Sequence, residues 1–290
     1  MTLDAFDARL VAGDGVDLSL ATLGPERPGR QPLLCLHGLG RRWQDYLPLM
    51  PSLCFRWQVH ALDFRGHGRS GRRMGNYRVL DHARDVQHLV RTFREPIVIY
   101  GHSLGALVAA VVAAEEPDRV QAVVLEDPPS ADFLKNLDQS PYAIQFAAMR
   151  RLAGSNDPVP QVARALAEVR LPSADGRGTI RLGDLRDAVS LRFTARCLQE
   201  VDPDVFMPLL EETWLDGLDL DAVFRRVRCP ALLLCADPER GGMLPRDDAD
   251  HICELMDDVT RMDFPGAGHL LHWMETESIA RLVHGFLESL

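Results

Sequence analysis

The 290-residue chain is 46% apolar and 26% charged, proportions that exclude a disordered or fibrous protein and allow one large core with a sizeable insertion. Acidic residues outnumber basic ones, 42 to 32, and the resulting net charge of −10 repels phosphate backbones and anionic lipid, so nucleic acid and membranes are not expected partners. The N-terminus lacks a basic region followed by an apolar run, and no segment approaches the ~18 consecutive apolar residues of a membrane span. The expectation is a soluble cytoplasmic protein, monomeric or homodimeric. The six cysteines (Cys35, Cys54, Cys197, Cys229, Cys235 and Cys253) show neither Cys-x-x-Cys spacing nor clustering with histidines, which predicts free thiols and no metal.

In chain order, residues 6 to 22 alternate on either side of Gly13-Asp14-Gly15 and read as an opening β-hairpin. Pro32 to Leu36 is a continuous apolar run, as in a central parallel strand, ending in His37-Gly38-Leu39-Gly40. Helical spacing over Trp43 to Leu53 and a strand over Val59 to Phe64 follow. The glycine-rich loop Asp63 to Ser70 reads as an organiser of turns and ion pairs rather than as a participant in chemistry. A helix from about Leu80 to Phe93 leads to the apolar run Ile97-Val98-Ile99-Tyr100, which stops at Gly101-His102-Ser103-Leu104-Gly105.

That Gly-x-Ser-x-Gly pattern predicts a strand, a turn too tight for side chains at its glycines, and a helix through the Ala/Val-rich residues 106 to 114. A serine at such an elbow is pushed out above the sheet edge, which makes Ser103 a nucleophile candidate. The Leu104 amide, at the helix N-terminus, can donate to an oxyanion. A strand at Ala122 to Leu125 then runs into Glu126-Asp127.

From 128 to 225 no apolar strand run appears, and helix-like segments near 141 to 153, 159 to 169, 184 to 200 and 203 to 212 indicate a helical insertion. Strand signals resume at Ala231 to Ala236 and Thr260 to Phe264, each followed by a helix, at about 247 to 256 and 276 to 289. This alternation predicts an α/β fold with a mostly parallel, doubly wound sheet. His269, in Gly266-Ala267-Gly268-His269 directly after the last strand, is a candidate general base for Ser103.

Through His37-Gly38, the Asp63 to Ser70 loop, Gly101 to Gly105 and Gly266 to His269, in this order over nearly its whole length, the chain resembles the α/β-hydrolase fold family. The resemblance implies an eight-stranded core from residues 1–127 and 226–290 and a helical cap from 128–225. It implies Ser103 as nucleophile, His269 as base, and an oxyanion hole formed by the amides of Leu39 and Leu104. Most of the family carries the third, acidic member after the strand that here is Ala231 to Ala236, where Asp237 and Glu239 stand. A minority, including haloalkane dehalogenases and a zearalenone-lactonase-like group, carries it one strand earlier, at about the spacing that separates Ser103 from Asp127. Asp127 is favoured, Asp237 and Glu239 stay open as alternatives, and Glu126 is a weaker neighbour. Any of them would suffice if it orients the imidazole.

A serine where dehalogenases and epoxide hydrolases have an aspartate argues against those chemistries. The expectation is a cofactor-independent serine hydrolase acting on a small, moderately hydrophobic ester or lactone. The alternatives are a C–C hydrolase or thioesterase with the same triad and, in another class, a ligand-binding protein that has kept the fold. Phe133, Tyr142, Phe146, Met149, Phe193, Phe206, Met207 and Trp214 are candidates either for the pocket lining or for the core of the cap. Arg41 and Arg42 are candidates for meeting a substrate carboxylate, or are solvated surface arginines.

Overall fold

In a computed structural model describing residues 6–23, 29–173 and 177–290, the apolar runs become the inner strands of one sheet. The N-terminal segment read above for a leader signal begins with residues 1–5, outside the described residues. The hairpin pairs β1 (Phe6–Ala12) with β2 (Asp17–Leu23) antiparallel. The core continues with β3 (Pro32–Leu36), β4 (Gln58–Leu62), β5 (Ile97–His102) and β6 (Val120–Glu126). The insertion holds β7 (Arg170–Pro172) and β8 (Thr179–Arg181), and β9 (Ala231–Ala236) and β10 (Val259–Phe264) complete the strands among the described residues. The eight-stranded sheet has the order β1-β2-β4-β3-β5-β6-β9-β10, parallel from β4 onward.

Strand alternation sends the core to both faces. On β5, Ile97 and Ile99 pack with the helix Leu104–Glu115, while Val98 and Tyr100 pack with Tyr46 and the C-terminal helix Thr276–Glu288. The helix Leu104–Glu115 is apolar on all sides and buried along nearly its whole length, as expected of a helix covered by both sheet and insertion. Among the described residues no helix is long and apolar enough to cross a membrane.

Three sequence expectations need correction. The helix expected over Trp43 to Leu53 is a 3-10 turn (Trp43–Tyr46) and a single helical turn (Met50–Leu53). Pro48 and Pro51 remove amide donors from the intended ladder. The insertion is mainly helical (Pro141–Leu152, Val159–Ala167, Ala188–Leu198 and Leu220–Arg226), yet β7 and β8 form a small antiparallel hairpin in it. Three-residue strands are too short to show alternation. The helix expected over 184 to 200 is split: a single turn, Leu182–Leu185, ends before Arg186, and the longer helix starts at Ala188, where the Asp187 carboxylate caps it by accepting from the amides of Val189 and Ser190 at 2.9 Å each.

Candidate active site

The sharp turn after β5 is built from two glycines. A Cβ on Gly101 would collide with the Gly105 carbonyl, and one on Gly105 with the Leu36 carbonyl of the neighbouring strand. Between them Ser103 has φ 55° and ψ −116°, a conformation that costs a non-glycine residue about 1–3 kcal/mol. Its backbone is fixed on both sides: its amide donates to the Glu126 carbonyl at 2.9 Å, and its own carbonyl accepts from Ala106 and Leu107 to start the helix. The side chain is thereby directed into a cavity under the insertion rather than into the sheet.

His269 enters the same cavity from the loop after β10. Its Nδ1 donates to Asp127 Oδ2 at 2.5 Å, and no hydrogen bond occupies its Nε2 among the described residues. Asp127 directly follows β6 with φ 44°, a left-handed conformation that aspartate tolerates better than most side chains. Two more donors hold its carboxylate: the amide of Ala236 to Oδ1 at 3.2 Å and that of Met243 to Oδ2 at 2.9 Å. Asp237 is engaged elsewhere, accepting from the amides of Gly266 (2.8 Å) and Glu239 (3.1 Å), which hold its carboxyl below the usual range. Glu239 is exposed. Of the candidate acids, only Asp127 reaches His269 among the described residues.

The loop after β3 is pinned by two neutral imidazoles. His37 donates from Nδ1 to the Gly38 carbonyl (2.8 Å) and accepts at Nε2 from the Phe64 amide (3.1 Å). His67 donates from Nδ1 to the Arg65 carbonyl (2.9 Å) and accepts at Nε2 from the Gly40 amide (3.1 Å). Burial pushes both below the ordinary imidazole value, His67 to about 4, so these tautomers persist at neutral pH. The Asp63 to Ser70 loop does the structural work expected of it: Asp63 accepts from the amides of Trp43 and Arg69, and Arg65 pairs with buried Asp85 at 2.6 Å. Leu39 and Leu104 both flank Ser103, Leu39 on the cavity wall and Leu104 as the first residue of the helix.

Beneath this surface lies a second, buried assembly. Glu126, the last residue of β6, accepts at Oε1 from the His272 amide (3.0 Å) and from His272 Nδ1 (2.7 Å), and at Oε2 from the Tyr100 hydroxyl (2.6 Å). His272 Nε2 lies 3.5 Å from Asp45 Oδ2, an ion-pair distance without a well-formed hydrogen bond. Burial disfavours the imidazolium, but the Glu126 and Asp45 carboxylates outweigh burial and lift His272 to about 9. Burial likewise opposes the Glu126 carboxylate, and the His272 charge wins, lowering it to about 2. His102 lies between the two systems, 4.6 Å from the His269 ring and 5.0 Å from that of His272, and donates from Nε2 to the His269 carbonyl at 2.9 Å. His102, Glu126 and His272 bring potential metal-ligating atoms together. The carboxylate is already taken by His272 and Tyr100, however, and His102 Nδ1 abuts Gly38.

A cavity of about 70 Å³ lies above Ser103, continuous with solvent. Tyr142, Phe146 and Met149 line it, and a narrower apolar recess runs on from Ser103 past Phe133 and Trp214. Phe206 is fully buried, and neither Phe193 nor Met207 lines either space. Arg41 and Arg42 prove to be clasps. Arg41 forms a two-point ion pair with Asp45, donates to the Thr194 hydroxyl at 2.9 Å, and stacks on Phe193 with 4.8 Å between guanidinium carbon and ring centre. Arg42 pairs with Glu200 at 2.8 Å. Both arginines tie the loop after β3 to the insertion. Sequence reasoning missed Arg186, which also lines the cavity; its only signal was position ahead of a helix cap.

The alpha/beta hydrolase fold model matches residues 31–276. A 2-(acetamidomethylene)succinate hydrolase from Mesorhizobium japonicum is 27% identical over 286 residues, covering 94% of each chain. A pimeloyl-[acyl-carrier protein] methyl ester esterase from Klebsiella pneumoniae is 31% identical over 214 residues, 63% of this chain and 80% of that one. Among solved structures, an E-2-(acetamidomethylene)succinate hydrolase superposes with TM-score 0.76 at 24% identity over 98% of this chain and 99% of that one. The enol-lactonase from Burkholderia xenovorans gives 0.73 at 19% identity over 97% and 100%. The chain therefore belongs to the α/β-hydrolase fold family and is a hydrolase.

Proposed function

We propose that the protein is a serine hydrolase that cleaves a carboxylic ester or lactone of a small, moderately hydrophobic molecule through an acyl-enzyme. The observation that carries this reading is the hydrogen bond from His269 Nδ1 to Asp127 in the cavity that Ser103 also lines, which leaves Nε2 for a proton from the serine hydroxyl. Ser103 Oγ attacks the carbonyl carbon as His269 Nε2 takes its proton, and the imidazolium forms beside the Asp127 carboxylate. The amides of Leu39 and Leu104 donate to the developing oxyanion. His269 then returns the proton to the departing alkoxide. Water, deprotonated by the same nitrogen, releases the acid and restores Ser103. The ester in the name of the K. pneumoniae relative supports an acyl–oxygen bond as the target.

The test is Ser103→Ala, assayed on a panel of p-nitrophenyl esters, lactones and thioesters and by labelling with a fluorophosphonate. The expected outcome is a fall in kcat/KM of about 10⁴-fold or more, loss of labelling and an unchanged melting temperature. A folded variant within tenfold of the parent on its best substrate would refute the mechanism.

A further inference from the structure

Two arginines line the cavity, and their charges are in different states. Arg41 is neutralised by Asp45. Arg186, half-buried where the insertion enters the helix Ala188–Leu198, has no ion-pair partner among the described residues. Its neighbour Asp187 forms no ion pair with it and instead caps the helix, its Oδ1 accepting from the amides of Val189 and Ser190. The guanidinium lies beside the Tyr142 phenol, whose hydroxyl donates to the Gly241 carbonyl at 2.5 Å. The Tyr142 ring in turn is 6.2 Å from that of His269. The arginine is thus tethered to the wall near the reacting groups, among Leu166, Leu182, Leu191 and Phe146. A cation held against apolar walls is poorly solvated and weakly screened, so an anion brought to it gains more than it would at an open surface.

From this we infer that Arg186 reads a carboxylate on the substrate, making the preferred substrate an acyl compound with an acid group a few bonds from the scissile carbonyl. The inference rests on Ser103 hydrolysis and narrows its substrate class. Planar paired donors on the guanidinium match a carboxylate, and Gln145 and Ser190 line the same cavity with further polar groups. The charge that sequence alone suggested for Arg41 or Arg42 is supplied instead from the insertion.

The experiment compares kcat/KM for mono-p-nitrophenyl glutarate, which carries the acid, with that for neutral p-nitrophenyl valerate of similar length. The wild-type protein is expected to favour the acid at least tenfold, with the preference shrinking as salt is added. Arg186→Gln should lower that ratio by tenfold or more, and Arg186→Lys should keep part of it. As a second readout, free glutarate should slow fluorophosphonate labelling of Ser103 in the wild-type protein and much less in Arg186→Gln. Equal wild-type rates on the two esters, or a ratio unchanged in a folded Arg186→Gln, would overturn the inference while leaving Ser103 hydrolysis standing. If both esters are cleaved at wild-type rates by Ser103→Ala, the underlying mechanism fails instead.

Discussion

Two carboxylate–imidazole pairs stand side by side in this protein, and the chain builds them from adjacent acids and from histidines three residues apart. Asp127 with His269 opens on the cavity; Glu126 with His272 is sealed beneath it. Among the described residues the first pair has one acid and one ring nitrogen without a hydrogen bond. The second has two acids, Glu126 and Asp45, around an imidazole that no solvent reaches. The same two side-chain types therefore sit in two settings, an imidazole facing the cavity in one place and one held between two carboxylates in the other. What separates them is the number of carboxylates and access to the cavity, not the pairing itself.

The sharpest way to break this comparison is to remove each imidazole in turn. His269→Gln should lower kcat/KM by about 10⁴-fold with little change in melting temperature, because the proposed base is lost from a site that carries little of the core. Next in size, Asp127→Asn should cost about 10³-fold or more, since the amide can no longer accept from His269 Nδ1 in the working tautomer. If Asp127→Asn retained full turnover while Glu126→Gln lost it, the roles assigned to the two acids would have to be exchanged.

Glu126→Gln tests the other half of the comparison. Removing one partner from a buried ion pair costs about 3–5 kcal/mol, and the lower end is expected here because Asp45 remains and His272 can shed its proton. Urea denaturation should show that loss, with kcat falling far less than in the Asp127 variant. Unchanged stability would mean that the buried assembly does not contribute in the way its geometry implies.

The parts of this arrangement that were readable beforehand are the local ones. Gly101, Ser103 and Gly105 announce the elbow because only glycine fits where strands β3 and β5 meet the following helix, and the strand–helix alternation announces the sheet. The choice among Asp127, Asp237 and Glu239 was not local. It depends on a contact between residues 142 positions apart, and on a left-handed kink at Asp127 that propensity does not forecast for a lone aspartate. The Glu126–His272 assembly left no motif, since nothing in a sequence separates a buried charge network from a surface one. Arg41 and Arg42 invite a functional reading by their position directly after the loop His37-Gly38-Leu39-Gly40. Their partners, Asp45, Thr194 and Glu200, include two from an insertion whose docking only the tertiary structure reveals.

The smallest effect is also the most specific signature of the sealed pair. Folding raises His272 from an ordinary 6.5 to about 9, so its contribution to stability is complete below 6.5 and is lost as pH rises through about 9. Folding lowers Glu126 from 4.5 to about 2, so its contribution is complete above 4.5 and is lost as pH falls toward 2. The pair therefore stabilises most between 4.5 and 6.5. Other groups titrate over the same range, so the informative quantity is the difference in unfolding free energy between wild-type protein and His272→Gln as a function of pH. That difference should be largest in the mildly acidic window and shrink steadily on the alkaline side. Parallel stability curves for wild type and His272→Gln would mean that His272 carries no extra charge in the fold, and the contrast between the two imidazoles would then reduce to solvent access alone.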